Sequence, residues 1–413
     1  YGIIHIMLSF CDNVIQNNDK ETIDIMNKLT NSTKTTILAL SWRDIRSPKM
    51  GGAETHTHEM LRRVDHEKYR VIHFAPMYPG LLEEENIDGV DYLRKGNIFS
   101  VIWYAMIYYK KNARNIDFVI EQCNTHRFFT RFWVPAKKRI FYIHQLTREI
   151  WNIEMHGIFA TIGRKLENPM LRLQNNDYAI TVSDSTKCEL IEQGFQPEKI
   201  FIVNPAIHTR LWTQEEWLEK DENPTFVYVG RYARYKGIDV AIEALGIVKR
   251  EHKKTKLWII GKENKEYVEN VLKPLCSKLH LEIGHDEYAD VVLCGFVSEE
   301  KKLELQSRAL ALLFPSIREG WGLIITEAAT VGTPSIVFDA PGSRDAVNLG
   351  KAGYLCNKND AGHLAEYMEN CIENPEEYEK VRKAAYEFSS QFTWDNMDYC
   401  LDHIIEAIKE REV

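Results

Sequence analysis

The chain has 413 residues, 44% hydrophobic and 27% charged, with a net charge of −8 at pH 7; the length suits two to three globular domains. The acidic balance and lack of a reader motif argue against nucleic acid, and no run approaches the roughly 18 apolar residues of a membrane span. Eight cysteines, none in a C-x-x-C pair, predict neither a zinc site nor a disulfide framework and make a reducing cytosol the default compartment.

Residues 1–35 form a polar extension with one candidate helix, Lys20 to Leu29, and the apolar Ile3 to Phe10 lacks the basic flank of a signal peptide. Thr36 to Leu40 is a short apolar run suited to a buried strand. A polar loop then reaches Gly51-Gly52, and a helix is expected from Ala53 to about Val64. Val71 to Ala75 is the next strand, Ile98 to Tyr109 an aromatic helix, and Phe118 to Glu121 and Arg139 to Ile143 are further strands, the last running into His144. A helix around Ile162 to Asn175 precedes the strand Tyr178 to Val182. The next helix reaches about Gln193, with Thr186 and Glu189 at capping-box spacing, and Ile200 to Val203 closes the first half. Charged residues 209–224, containing Asp221-Glu222-Asn223-Pro224, form the expected linker.

The second half repeats the cycle. Strands are expected at Thr225 to Val229, Leu257 to Ile260, Asp290 to Cys294, Ala311 to Phe314, Ser335 to Phe338 and Ala352 to Leu355. Helices are expected at Ile238 to Arg250, Tyr267 to Leu279, Ser298 to Arg308, from Gly322 to Val331, Asp360 to Cys371, Pro375 to Ser389 and Trp394 to Glu412. Alternating strands and helices in two series predict an α/β protein of two doubly wound, Rossmann-like domains, 36–208 and 225–393, facing across a cleft.

Two turns carry chemistry. In VYVGRYARYKGIDVAI, Gly230 allows close backbone approach, and Arg231, Arg234 and Lys236 place positive charge ahead of a helix N-terminus. In FPSIREGWGLIITEAATVGTP, Glu319 precedes a helix that begins near Gly322 and carries Glu327. Its free N–H groups and dipole favour an anion. No strand-to-helix turn contains G-x-G-x-x-G, which argues against a dinucleotide oxidoreductase. A solvated basic turn, a ligand-free helix start at Gly51-Gly52 and an ordinary strand-end histidine at His144 are the competing readings of the single motifs.

The frame F-P-S-x-x-E-G-W-G-L-x-x-x-E-A-x-x-x-G-x-P resembles the E-x7-E motif of retaining glycosyltransferases of family 4, which have the GT-B fold. GGAE at Gly51 to Glu54 is similar to that family's first-domain glycine loop, GRYARYKG to its G-R-x-x-x-x-K-G motif, and the last helix, within 394–413, to the one that packs back on the first domain. The resemblance implies roles: Arg231 and Lys236 hold a diphosphate, the backbone of Gly322 and Leu323 binds phosphate oxygens, and Glu327 accepts from ribose hydroxyls. Glu319 contacts the donor hexose, His144 faces the sugar, and Gly52, beside Gly51, lets its loop approach the phosphate. Gly230, Gly261, Phe296, Val297, Gly320 and Trp321 complete the implied donor-binding set. Glu263 stands where the family's L-x-I-x-G-x-G has its second glycine, which leaves the base open.

The expected activity is transfer of a hexose or N-acetylhexosamine from a nucleotide-diphosphate sugar, UDP-linked by expectation, to a glycan or lipid-linked acceptor. No cofactor or metal is expected, because the cations can stabilise the departing diphosphate. The alternative is a catalytically silent subunit supporting a partner transferase; the intact set Arg231, Lys236, Glu319 and Glu327 favours the enzyme. Between Lys110 and Arg172, twelve bases face five acids. The basic, aromatic stretch Arg127 to Arg139 therefore suits an anionic membrane surface, with a core helix and solvated rim as the competing reading.

Overall fold

The computed structural model describes residues 34–123, 127–154, 158–396 and 401–412. The expected Lys20–Leu29 helix lies outside these residues.

The first sheet contains Thr35–Leu40 (β1), Tyr69–Ala75 (β2), Glu84–Ile87 (β3), Val90–Arg94 (β4), Phe118–Cys123 (β5), Arg139–Ile143 (β6), Tyr178–Thr181 (β7) and Ile200–Ile202 (β8), in the order β3-β4-β2-β1-β5-β6-β7-β8. Every pairing is parallel except β3 with β4. The second sheet contains Thr225–Val229 (β9), Lys256–Ile260 (β10), Ile283–Gly284 (β11), Val291–Gly295 (β12), Leu312–Phe314 (β13), Ser335–Val337 (β14) and Tyr354–Leu355 (β15), in the order β11-β12-β10-β9-β13-β14-β15 and parallel throughout. Helices covering both faces explain why the central strands are continuous apolar runs. β5 and β9 are buried at every residue.

In each sheet the chain winds outward from a central strand and then crosses to its other side, to β5 beside β1 and to β13 beside β9. Ligands of open α/β sheets bind at the carboxyl ends of strands flanking such a reversal. The loops that leave β1, β9 and β13 are those of Gly51-Gly52, Lys236 and Glu319. Topology alone thus gathers the Lys236 and Glu319 loops in the second domain and puts the Gly51-Gly52 loop at the corresponding position of the first.

The β3–β4 hairpin was not among the expected strands. Its turn is Asp88-Gly89, both with positive φ (51° and 86°), the conformation of a two-residue hairpin loop. The aromatic helix runs Val101–Asn112 rather than from Ile98, because the Asn97 side chain accepts from the N–H groups of Phe99 and Ser100. The Asp184–Glu192 helix is capped by Ser183, whose hydroxyl accepts from the Thr186 N–H; Glu189 is drawn to the other domain instead of a capping box.

The Leu401–Glu412 helix returns to the first sheet, where Leu401, Ile404, Ile405 and Ile408 are buried in its core at the spacing of one helical face. The stretch before β9 is anchored by Lys220, whose ammonium donates to the carbonyls of Ser307, Ala309 and Gly332 and to the Thr333 hydroxyl. Among the described residues no helix is long and apolar enough to cross a membrane.

Candidate active site

The turn after β9 and the loop after β13 are locked together by backbone. The Ile317 N–H donates to the Tyr235 carbonyl at 3.1 Å. Gly237 has φ of +73°, and a Cβ there would lie 2.5 Å from the Pro315 oxygen, so only glycine fits. This brings the Lys236 ammonium onto the Glu319 carboxylate as an ion pair, with side chains only 14% and 12% exposed. The Glu319 N–H donates to the Pro341 carbonyl, and Gly342, also at positive φ, packs against the Glu319 carbonyl.

The Leu323–Thr330 helix starts at Gly322, whose φ of +97° turns the chain sharply enough for its first N–H groups to face out of the loop. Trp321 turns its side chain into the core beside Phe392, with ring centroids 4.8 Å apart, so only its backbone belongs to the loop. Arg231 is exposed and donates to the Tyr235 hydroxyl at 2.9 Å. Gly230 and Gly261 are stacked so closely that a Cβ on Gly261 would lie 2.1 Å from the Gly230 oxygen. The Gly261 N–H donates to Gly295, and the next residue, Phe296, is 86% exposed, with Val297 half-buried. The ends of β9, β10 and β12 thereby form a glycine shelf with an aromatic ring at its edge.

Glu327 is buried and paired with Lys302 at 2.8 Å. Burial pushes its carboxyl above the usual range, opposed by Lys302. Lys302 belongs to no motif; its place on the neighbouring Glu299–Arg308 helix is visible only in three dimensions.

The first domain closes against this loop. A Cβ on Gly52 would sit 3.3 Å from the Leu323 side chain, and one on Gly320 would sit 2.8 Å from the His144 carbonyl oxygen. The Gly51 N–H donates to the Glu54 carboxylate, which is also 3.1 Å from Arg43. The His144 Nε2 meets the Tyr142 hydroxyl at 2.9 Å, and that hydroxyl meets His56 Nδ1 at 2.6 Å. Burial lowers the His144 pKa to about 3, and burial with the adjacent His144 and His208 lowers that of His56 well below the usual range. Both rings are neutral at physiological pH.

Arg318, beside Glu319, reaches back across the interface. Its guanidinium donates to Glu149 at 2.7 Å and to both oxygens of Glu189 at 2.8 and 2.9 Å, with the arginine side chain 5% exposed. The Ser185 N–H faces Asp345 at 3.3 Å. Arg318 and its two carboxylates went unrecognised because their partners are distant in sequence. The expected basic surface at Arg127 to Arg139 is smaller than the composition suggests. Arg139 is buried on Asp177 in a two-pronged ion pair, and Lys138 donates to the carbonyls of Ala113 and Ile116. Arg131 and Lys137 stay exposed.

Residues 50–211 match the profile described as Glycosyltransferase Family 4, and residues 212–388 that described as Glycosyl transferases group 1. The chain belongs to glycosyltransferase family 4. Among similar proteins, a glycogen synthase of Mycobacterium tuberculosis is 26% identical over 245 residues, 58% of this chain. That match spans only 56% of the relative's length. An uncharacterized glycosyltransferase of Methanocaldococcus jannaschii is 25% identical over 384 residues, 91% of this chain and 99% of that protein. Among solved structures, a sucrose-phosphate synthase of Thermosynechococcus elongatus has a TM-score of 0.67 at 16% identity, covering 92% of this chain and 98% of that one. The Anabaena HepE protein in complex with UDP and glucose has a TM-score of 0.63 at 16% identity, covering 92% and 99%. These likenesses establish that this family 4 chain has the GT-B fold, two Rossmann-like domains.

Proposed function

We propose that the protein is a retaining glycosyltransferase that moves a hexose or N-acetylhexosamine from a UDP-linked sugar to a glycan or lipid-linked acceptor in cell-surface polysaccharide or glycolipid synthesis. The second domain takes the donor, the first takes the acceptor, and the protein works in the cytoplasm, peripheral to the membrane. The observation that carries this is the Lys236–Glu319 pair, set between the ends of β9 and β13 beside a helix N-terminus. Similarity to a protein crystallised with UDP supports the choice of donor.

Breaking the glycosyl–phosphate bond leaves positive charge on the sugar and negative charge on the diphosphate. Lys236, Arg231 and the N–H groups at Leu323 are arranged to meet the latter without a metal. In this reading Glu319, held by Lys236, contacts the donor hexose, and neutral His144 offers a hydrogen bond rather than a charge. Glu327, held by Lys302, serves the ribose hydroxyls, and Phe296 beside the glycine shelf serves the base. A thermal-shift screen with UDP, GDP and ADP sugars tests the reading. A ligand at about 100 times its Kd adds about 2.7 kcal/mol, and a rise with UDP sugars alone is expected. No rise with any nucleotide would refute the proposal.

A further inference from the structure

The first domain holds a cavity of about 280 Å³ that none of the donor-site residues uses. Its walls include Ile102, Phe129, Ile143, Trp151, Leu166 and Met170. Ile143 ends β6 immediately before His144, and Trp151 lies in the Ile150–Glu154 helix, which packs against the Arg234–Lys236 turn. The cavity therefore lies in the first domain, on the Phe141–Ile143 face of the sheet, beside the helix that meets the Arg234–Lys236 turn.

Its chemistry is apolar. The two charged residues that reach it are already engaged: Glu167 accepts from the N–H groups of Thr147 and Arg148 at 2.6 and 3.0 Å. Arg127 donates to Gln174 and lies over the Phe141 ring. Sugar hydroxyls placed here would lose their hydration without an array of partners, whereas a hydrocarbon chain would lose nothing. The volume is at the lower end of ligand pockets and suits one slender chain.

The surroundings continue the pattern. Phe129, Phe132, Ile162 and Leu166 are 37%, 64%, 46% and 51% exposed, and Arg131, Lys137, Arg164 and Lys165 are exposed among them. Exposed apolar and aromatic side chains interleaved with bases fit the boundary between hydrocarbon and anionic headgroups.

We infer that this cavity takes the hydrocarbon chain of an anionic lipid acceptor, with its charged head on the basic rim and its sugar-accepting end toward His144. The inference rests on the transferase reading and narrows the acceptor from glycan or lipid to lipid. Decyl phosphate below its micellar concentration is the probe, titrated calorimetrically beside inorganic phosphate, with UDP titrated into the same samples. Decyl phosphate should bind about tenfold or more tightly than inorganic phosphate, and Met170→Glu inside the cavity and Leu166→Glu at its half-exposed edge should each weaken it about tenfold. UDP binding to the second domain should be unchanged in both variants, and unchanged hydrogen-exchange protection of the first-domain strands shows that the mutated domain is folded. Equal affinity for decyl and inorganic phosphate, or unchanged decyl phosphate binding in Leu166→Glu, would overturn the inference. UDP binding without decyl phosphate binding removes the lipid cavity and leaves the transferase reading; the reverse result removes that reading instead.

Discussion

At the candidate site the second domain holds charge in pairs, Lys236 with Glu319 and Lys302 with Glu327, whereas the first domain backs its part of the site with the neutral histidines His56 and His144. The first domain also buries a third histidine, His73, and ion pairs of its own at Arg94–Asp44 and Arg139–Asp177. Both domains wind a parallel sheet around a central strand, so the difference belongs to the sites and not to the scaffold. Burying paired charges is costly unless their geometry is held by further contacts, and the backbone bonds joining the β9 and β13 loops supply that support. A half built this way is suited to a charged diphosphate. In the other half, the neutral ring of His144 offers a hydrogen bond without adding a charge at its own position.

The largest effect should come from breaking the Lys236–Glu319 pair. Lys236→Ala and Glu319→Ala should each lower turnover about 100- to 1000-fold, the scale seen when one group that stabilises a transition state is removed. The double variant should be scarcely worse than the poorer single one, as for residues acting as a unit. Steady-state kinetics with circular dichroism as a folding control check this; multiplicative losses would separate the two residues.

Acid should act on the other side of the comparison. Burial lowers the pKa of His144 to about 3 and that of His73 to about 4, and lowers that of His56 well below its usual 6.5. Between those values and 6.5 the unfolded chain binds protons that the folded chain does not, so stability present above pH 6.5 is lost as the pH falls. Each histidine contributes about 1.4 kcal/mol per pH unit in that window. Hydrogen exchange at pH 5 against pH 7 should show the first domain losing protection before the second. The opposite order would break the contrast.

Arg318 joins the halves, so its loss should impair the assembled site more than the donor half alone. Arg318→Ala should lower turnover about tenfold while leaving UDP affinity unchanged. In a Glu149→Gln/Glu189→Gln background the same substitution should have little further effect, because contacting residues are coupled. A full additional loss there would give Arg318 a role apart from the interface. The smallest expected effect is that of EDTA, which should leave turnover unchanged if Lys236 and Arg231 meet the diphosphate; a loss restored by magnesium would contradict this.

Legibility in the sequence follows the same division. The second domain's glycine-bearing loops are contiguous motifs, so Arg231, Lys236, Glu319 and Gly322 could be singled out from local chemistry, and the other strands of both sheets followed from apolar runs and their spacing, but not β3, β4 or β11. The first domain builds its site across the chain: His56, from the Gly52–Arg62 helix, reaches the Tyr142 hydroxyl that supports His144, and Glu149 and Glu189 meet Arg318 of the second domain. Long-range partners leave no local pattern. The basic stretch misled for a related reason, since composition cannot separate Arg139, buried on Asp177, from exposed Arg131. The β3–β4 hairpin was legible in principle, because Asp88-Gly89 between Ile87 and Val90 is a turn signal.

Calorimetric titration of UDP into the unmodified protein and into Lys236→Ala tests most directly whether the paired charges of the second domain form a diphosphate site. The account predicts that the unmodified protein binds UDP and that Lys236→Ala weakens it about tenfold or more. Equal UDP affinity in the two proteins, or no binding of UDP to either, would contradict it.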